Sequence, residues 1–212
     1  MKEEANIYNI TFTAGSAMLN QMHAVAETFL DCNGDWQRTK ARTLKENLMQ
    51  QEKMSSNLRY FTLIKQRLEV LNAEELNMLV NGTVAVRRLI VLLAICKAHS
   101  FIFDFIAENV RECFYNQYEK VTHANFNEFY NEKKYEHPEL EQATENTVYK
   151  MRQVTFLILE QTELIEDVGS GIIRRPYLSE AMEQLVVKDD PKWLAIYLYS
   201  DNEISNLRDL YA

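Results

Sequence analysis

Apolar residues recur at steps of three and four along most of this chain, the spacing that places them on one face of an α-helix. In residues 55–71, for example, the apolar stripe consists of Leu58, Phe61, Ile64, Leu68 and Leu71. Five glycines and three prolines in 212 residues leave few turn-forming positions, which favours long helices over a β-sandwich or barrel. We therefore predict an all-α fold, a compact globular protein of many helices.

Polar capping residues divide the periodic pattern into separate helices. The first predicted helix spans residues 12–30, the second runs from an N-cap at Asp35 to about Met49, and the third has its N-cap at Ser55 or Ser56. Further helix starts are predicted at Asn72 (with Glu75 in a capping box), Thr83, Ser100, Thr122, Pro138, Thr144 and Ser179.

The helical period breaks at residues 164–173, where two short extended runs flank Gly169, Ser170 and Gly171. This pattern predicts a β-hairpin. A long helix precedes it, so residues 122–175 have the outline of a winged helix, in which the hairpin touches the DNA backbone. The DNA-contact residues predicted in this second element are Lys150, Arg152, Arg174 and Arg175. The alternative is that the last two arginines cap a neighbouring helix or pair with the acidic tail.

Charge is distributed unevenly along the chain. The whole chain has a net charge of −8, whereas residues 35–71 hold eight Lys and Arg against four Asp and Glu, a net +4. An acidic protein repels polyanions at long range, so a local positive segment is more informative than the total. Residues 35–71 are therefore a candidate nucleic-acid surface. A solvated basic face without a partner is the alternative.

Residues 35–71 also have the outline of a helix-turn-helix. A basic helix is followed by a short connection at residues 50–52 and by a capped helix whose polar side lies opposite its apolar stripe. Any helical hairpin gives the same outline, so this pattern is weak by itself. The DNA-contact residues predicted here are Arg38, Lys40, Arg42, Lys45, Lys53, Ser55, Ser56, Arg59, Thr62, Gln66 and Arg67.

The common sequence patterns of catalytic and metal sites are missing. The chain has no HExxH, GxGxxG, Walker-type or GxSxG motif, and its four histidines are scattered. Cys32, Cys96 and Cys113 form no CxxC pair, which fits reduced thiols in the cytoplasm. We expect no enzymatic activity, no cofactor and no bound metal.

No signal peptide or membrane span is expected. Residues 1–4 are charged, and the longest apolar run, residues 89–96, has only eight residues between Arg88 and Lys97. A membrane-spanning helix needs about 20. We interpret the run as the buried central helix of a cytoplasmic protein that does not contact a membrane.

The domain organisation is predicted from a polar stretch at residues 116–122. We expect an N-terminal helical subdomain at 1–116 and a C-terminal one at 117–212, which ends in an acidic tail. No internal repeat is present, and we expect a monomer.

Several stretches, taken in order, resemble one family. They are FTAGS (12–16), GDW (34–36), ENLMQ (46–50), AICK (94–97), residues 101–111, residues 122–126, FYNEK (129–133), HPEL (137–140) and residues 144–153. From about residue 8 to 185, the chain resembles BrxA, a core protein family of bacteriophage exclusion (BREX) defence systems. None of the stretches is a catalytic motif.

The resemblance implies an all-helical, non-enzymatic protein that binds double-stranded DNA through helix-turn-helix-like elements beside a positive surface. It also implies that the protein acts together with a methyltransferase, an ATPase and a phosphatase-like protein. No contact residue is carried over from the family, so those above rest on charge and helical faces.

Two other functions stay open. One is an adaptor that docks on the methyltransferase or the ATPase through Trp36, Tyr60 and Trp193, since Trp and Tyr are enriched in interface hot spots. The other is an RNA-binding regulator similar to antitermination factors, an analogy from fold class alone.

Overall fold

The computed structural model describes residues 7–116 and 118–211, so the charged residues 1–4 lie outside the described part. The helices are α1 (Leu19–Asp31), α2 (Trp36–Lys45), α3 (Met54–Glu69), α4 (Ala73–Asn81), α5 (Val84–Ala98), α6 (Ser100–Asp104), α7 (Arg111–Tyr115), α8 (His123–Lys133), α9 (Pro138–Glu141), α10 (Glu145–Gln161), α11 (Glu180–Asp189) and α12 (Asp201–Tyr211). A π-helical segment, Phe105–Val110, joins α6 to α7, and two 3-10 helices span Ile10–Ala14 and Pro191–Tyr197. The described residues form no β-strand, which confirms the all-α prediction.

Side-chain caps begin six of the twelve described α-helices at the predicted positions. Asp35 accepts hydrogen bonds from the backbone N–H groups of Gln37 and Arg38, at 2.8 and 3.1 Å. Asn72 and Glu75 form the predicted capping box at α4. The other predicted caps that accept from the backbone are Thr83, Thr122, Thr144 and Ser179. Each cap satisfies N–H groups that have no partner within the helix.

Helix α5 lies at the centre of the fold. It contacts α1, α3, α4 and α6, and residues 89–96 are all buried. Burying one Leu or Ile side chain contributes about 1.5–3 kcal/mol, so this run is a large part of the core. The same hydrophobic cluster includes residues from Tyr8 to Tyr199, on both sides of residue 116. The division at that residue stays a prediction.

A membrane span requires a certain length and hydropathy, and no single helix among the described residues has both. The pair Val84–Ala98 and Ser100–Tyr115 meets them only jointly, and its two parts are bent by 116°.

The first helix is shorter than predicted. A 3-10 helix ends at Ala14, and α1 begins only at Leu19, because Met18 has a left-handed backbone conformation with φ 54°. The Ala17 N–H donates to Gln161 Oε1 at 2.9 Å, which holds the non-helical segment against α10. These tertiary contacts interrupt a pattern that is helical by spacing.

The connection between α2 and α3 also differs from the prediction. Helix α2 ends at Lys45 rather than near Met49, and eight residues separate it from α3 instead of three. Asn47 and Gln50 adopt left-handed conformations there, with φ 51° and 55°. Helix α3 begins at Met54 after Lys53, which supplies no side-chain cap, so the predicted cap at Ser55 or Ser56 is wrong.

The predicted hairpin is reduced to single β-bridges. Ile165 pairs with Ile173 in antiparallel orientation, and Lys120 pairs with Ile172. The segment is thus linked to the connection between α7 and α8 as well as to itself. No strand longer than a bridge forms within the described residues.

Candidate nucleic-acid interface

Helix α2 has a buried side and a basic side. Thr39 and Thr43 are fully buried against the protein, four residues apart as the helical period requires. The predicted contact residues of this helix are all exposed, namely Arg38, Lys40, Arg42 and Lys45. The helix therefore presents its cations to solvent.

Two of these cations are paired with carboxylates. Arg42 lies 3.0 Å from Glu46 and 2.9 Å from Asp31, and these partners raise the pKa of its guanidinium above the usual value. Arg38 Nε lies 3.5 Å from Asp35 Oδ2. The positive charge that both arginines offer to a ligand is correspondingly reduced.

Four other cations of the region have no such partner. No carboxylate of residues 7–116 and 118–211 lies within 4.0 Å of their charged nitrogens. We call these four residues the basic quartet: Lys40, Lys45, Lys53 and Arg59. All four side chains are exposed. An unpaired exposed cation is available to a phosphate group.

Helix α3 presents a polar stripe beside the quartet. Ser55, Arg59 and Thr62 are exposed, whereas Ser56 and Gln66 are half-buried. These side chains are of the kinds that bond phosphates and base edges. Leu58, predicted to point inward, is 36% exposed, and Asn57 is buried in its place. The Asn57 amide donates to the Gln51 carbonyl oxygen at 3.1 Å, which fixes the start of α3.

Arg67 has to be withdrawn from the predicted contact set, because its side chain is fully buried. Its guanidinium donates to the carbonyl oxygens of Ser16 at 2.6 Å and Gly15 at 3.1 Å. Burial lowers the pKa of this guanidinium from 12.5 to about 9. Arg67 therefore holds the segment before α1 in place and does not reach the surface.

In the second candidate element, Arg174 and Arg175 are exposed but paired. Arg174 forms an ion pair with Glu166. Arg175 lies 2.7 Å from Glu203 of α12 and over the ring of Tyr199. The pairing of Arg175 with the acidic tail is the alternative that the sequence left open.

Lys150 and Arg152 of α10 bind neutral groups instead. Lys150 donates to Gln153 Oε1 at 3.2 Å, and Arg152 donates to Asn127 Oδ1 at 2.9 Å. Lys150 is exposed and Arg152 is half-buried. Both side chains keep their positive charge. They are therefore more available to an anion than Arg174 and Arg175, which are paired with carboxylates.

A cavity of about 590 Å³ adjoins α3, and the sequence did not reveal it. Tyr60 and Gln51 line it from the quartet's side, and Arg87 and Arg88 of α5 line it from another. We call this space the arginine cavity. In the sequence these two arginines only flank the apolar run, and no local signal shows that residues of distant helices lie beside them.

A family model described as BrxA matches residues 6–190. The chain belongs to the BrxA family. The match includes every predicted DNA-contact residue and both arginines of the arginine cavity. It also includes all of the ordered stretches on which the resemblance was stated, so that prediction is confirmed.

Two individual proteins are similar to this BrxA-family chain. The BREX protein BrxA of Bacillus cereus (strain H3081.97) is 28% identical over 141 residues, which are 66% of this chain and 70% of the relative. A crystal structure of an uncharacterized protein from Magnetospirillum magneticum has a TM-score of 0.79 and 18% identity, and it covers 91% of this chain and 98% of that one. The second similarity shows a shared fold and nothing further.

The aromatic residues suggested as docking anchors are not fully exposed in the BrxA-family chain. Trp36, Tyr60 and Trp193 are half-buried and pack against the core. Trp36 stacks on Phe29 at a centroid distance of 4.2 Å, with the Lys65 ammonium over its ring. Over the described ranges, no group of three or more His, Cys, Asp or Glu side chains is arranged to hold a metal ion.

Proposed function

We propose that this BrxA-family chain is a DNA-binding accessory protein of BREX phage defence, without enzymatic activity of its own. It binds double-stranded DNA largely through phosphate groups and with little sequence preference. It works in the cytoplasm as a monomer, alongside the methyltransferase, ATPase and phosphatase-like proteins of the system.

The basic quartet is the observation that carries this proposal. Four exposed cations without a carboxylate partner among the described residues lie within 20 residues of each other, in a chain of net charge −8. The hydroxyl groups of Ser55 and Thr62 adjoin Arg59 on the same stripe of α3. Such groups fix a protein on the DNA backbone, whereas one guanidinium on that stripe supports little base reading.

The number of contacts sets the expected salt dependence. Four phosphate contacts give a slope of log K against log salt of about −4. Raising the salt concentration from about 50 to about 200 mM should therefore weaken binding about 250-fold.

Fluorescence anisotropy with a random duplex across a salt series tests the proposal. The double variant Lys45→Glu, Arg59→Glu should bind at least about 10-fold more weakly at low salt and show a slope smaller by about 2. The matched control Lys188→Glu, Arg208→Glu makes the same change in net charge at exposed positions on α11 and α12, and it should bind as the wild type does.

Equal binding by the Lys45→Glu, Arg59→Glu variant and the wild type would show that the basic quartet is not the DNA surface. If the wild-type protein does not bind near 50 mM salt, the adaptor function takes precedence. Co-purification of the methyltransferase or ATPase that survives nuclease and high salt would then support that function. Preferential competition by structured RNA over duplex DNA would instead favour the regulator function.

A further inference from the structure

The lining of the arginine cavity is positive although the protein is acidic. It includes Arg87 and Arg88, of which Arg88 pairs with Glu163 outside the lining, and, of the described residues, no Asp or Glu. The chain has 31 such carboxylates, so their exclusion from this lining is informative. A concave surface with one sign of charge attracts ligands of the opposite sign. The cavity is therefore suited to an anion.

Arg87 has hydrogen-bond donors that the protein does not use. Its Nη2 donates to the Val80 carbonyl oxygen at 3.1 Å. Its Nη1 has no acceptor, and no carboxylate pairs with the guanidinium, among the residues that the structure describes. A phosphate group in the cavity would supply acceptors of suitable charge and geometry.

Arg88 and the start of α1 add further donors. Arg88 Nη1 lies 2.8 Å from Glu163, and its Nη2 has no acceptor within the described residues. Leu19 and Asn20, in the first turn of α1, also line the cavity, and the N-cap residue Met18 provides no side-chain cap. The positive end of this 13-residue helix thus reinforces the two guanidinium groups.

Hydrogen bonds to buried groups hold the segment that forms one wall of the cavity. The buried Arg67 guanidinium binds the carbonyl oxygens of Gly15 and Ser16, and both residues line the cavity. Gln161, another lining residue, accepts from the Ala17 N–H. The walls are therefore formed before a ligand arrives, which reduces the entropic cost of binding.

The remaining lining fits a nucleobase. Tyr60 supplies an aromatic ring, and the amide side chains of Asn20, Gln51 and Gln161 supply both donors and acceptors. The volume of about 590 Å³ lies in the range of small-molecule sites. We propose that the arginine cavity binds one nucleotide unit, with its phosphate at Arg87 and Arg88 and its base beside Tyr60.

The nucleotide has two possible sources, a free mononucleotide or the 5′-phosphorylated end of a DNA strand. The second rests on the proposed function and extends it, because Arg59 of the basic quartet lies over the Tyr60 ring at 5.3 Å. A strand bound by the quartet would thus pass close to the cavity. The first source does not depend on duplex binding.

Calorimetric titration of the full chain with dAMP and with inorganic phosphate tests the site itself. Wild-type protein should bind dAMP more tightly than phosphate, and Arg87→Gln should weaken dAMP binding about 10- to 100-fold. The control Arg208→Gln, on α12, should bind as the wild type does. Equal affinity for dAMP and phosphate would overturn the base contact at Tyr60.

A second variant separates binding from folding. Asn20→Asp places a carboxylate in the first turn of α1, where it favours the helix but repels a phosphate. It should weaken dAMP binding at least about 10-fold without lowering the Tm. If dAMP and phosphate fail to bind the wild type, or if both variants bind dAMP as the wild type does, the proposed site is wrong.

Comparison of 5′-phosphorylated with 5′-hydroxyl duplexes identifies the source. A strand end is the ligand if the phosphorylated duplex binds the wild type more tightly and Arg87→Gln removes the difference. Equal binding of the two duplexes, together with Arg87-dependent dAMP binding, identifies a free nucleotide. The dAMP titration uses no duplex, so its failure is distinguishable from a failure of the quartet to bind DNA.

Discussion

At the scale of single residues, the fold contains two buried ionisable side chains that interact. Arg67 is fully buried, and with a pKa of about 9 it remains charged at neutral pH. His99 is also buried, and its burial together with the charge of Arg67 lowers the pKa of the imidazole from 6.5 to about 3. His99 is therefore neutral in the folded protein under all but acidic conditions.

The lower pKa of His99 in the folded protein than in the unfolded chain predicts that stability depends on pH. Below pH 6.5 the unfolded chain binds a proton at His99 that the folded protein does not bind until about pH 3, so the free energy of unfolding falls as the pH falls. Between about pH 7 and pH 5 the wild type should lose about 2 kcal/mol through His99. Urea unfolding of His99→Leu across this range should show a correspondingly smaller loss.

His123→Gln is the matched control. Partial burial and the nearby Arg152 lower the pKa of His123, but this residue is much less buried than His99. Its replacement should change the pH dependence less. An unchanged slope in His99→Leu would show that His99 does not account for the loss.

Arg67 also shows where a helical wheel stops being informative. The exposure of Ser55, Arg59 and Thr62 was predictable, since a period of 3.6 residues fixes their direction relative to the apolar stripe. Arg67 lies on the flank of that stripe. Its burial depends on the carbonyl oxygens of Gly15 and Ser16, which are distant in sequence and face it only because the chain leaves the helix there.

At the scale of elements, residues 165–173 are joined to the chain between α7 and α8. The Val121 N–H donates to the Gly171 carbonyl oxygen at 2.9 Å, and the Ile173 N–H donates to that of Glu119 at 2.8 Å. Gly171 has φ 62°, and an added Cβ would lie 2.0 Å from the Val121 carbonyl oxygen. Only glycine fits at this crossing.

The substitution Gly171→Ala should therefore lower the free energy of unfolding by at least about 2 kcal/mol, since left-handed strain and a backbone clash act together. Gly169→Ala is the matched control two residues away. Its added Cβ would approach only the Asp167 side chain, at 3.1 Å, and its backbone is not left-handed. Urea unfolding of both variants checks this, and equal stabilities would contradict the account.

Local sequence signals predicted the helices and their caps better than they predicted pairing between distant residues. The caps at Asp35, Asn72 and Thr144 were predictable because a cap and its acceptor or donor lie within three residues. The antiparallel pairing of Ile165 with Ile173 was predictable because the two residues are only eight positions apart and flank a Gly-Ser-Gly turn. The bridge from Lys120 to Ile172 was not, because it depends on how α8 and α10 pack.

In the candidate site, too, local features were easier to predict than contacts between distant parts of the chain. The basic charge of residues 35–71 could be recognised from the sequence alone, but not which four of its cations lack a carboxylate partner. The pairing of Arg175 with Glu203 and the assembly of the arginine cavity depend on helices that are distant in sequence. Neither contact has a signature in the local pattern.

At the scale of the whole molecule, one lysine joins three parts of the fold. Lys97 Nζ on α5 lies 2.7 Å from Glu75 Oε1 on α4 and 2.8 Å from Asp189 Oδ2 on α11. The side chains of Lys97 and Glu75 are 6% and 0% exposed. These two ion pairs link the N-terminal helices α4 and α5 to the C-terminal helix α11.

Lys97→Met should destabilise the protein by about 3–5 kcal/mol, because it leaves the Glu75 carboxylate buried without its cation. Adding Glu75→Gln should restore most of this loss, since glutamine removes the charge and still serves in the capping box with Asn72. Urea unfolding of the two variants measures the difference. Equal stabilities would show that the buried charge is not the cause.

The basic quartet lies in an otherwise acidic protein, and this uneven charge affects how copies of the protein would arrange themselves on a long duplex. Under the proposed function, the quartet faces the DNA, while the rest of the chain carries a net charge of −12, because the quartet contributes +4 to the total of −8. Neighbouring copies then repel one another at separations below the Debye length of about 8 Å. The protein would bind DNA as isolated, spaced molecules and would not form a continuous filament.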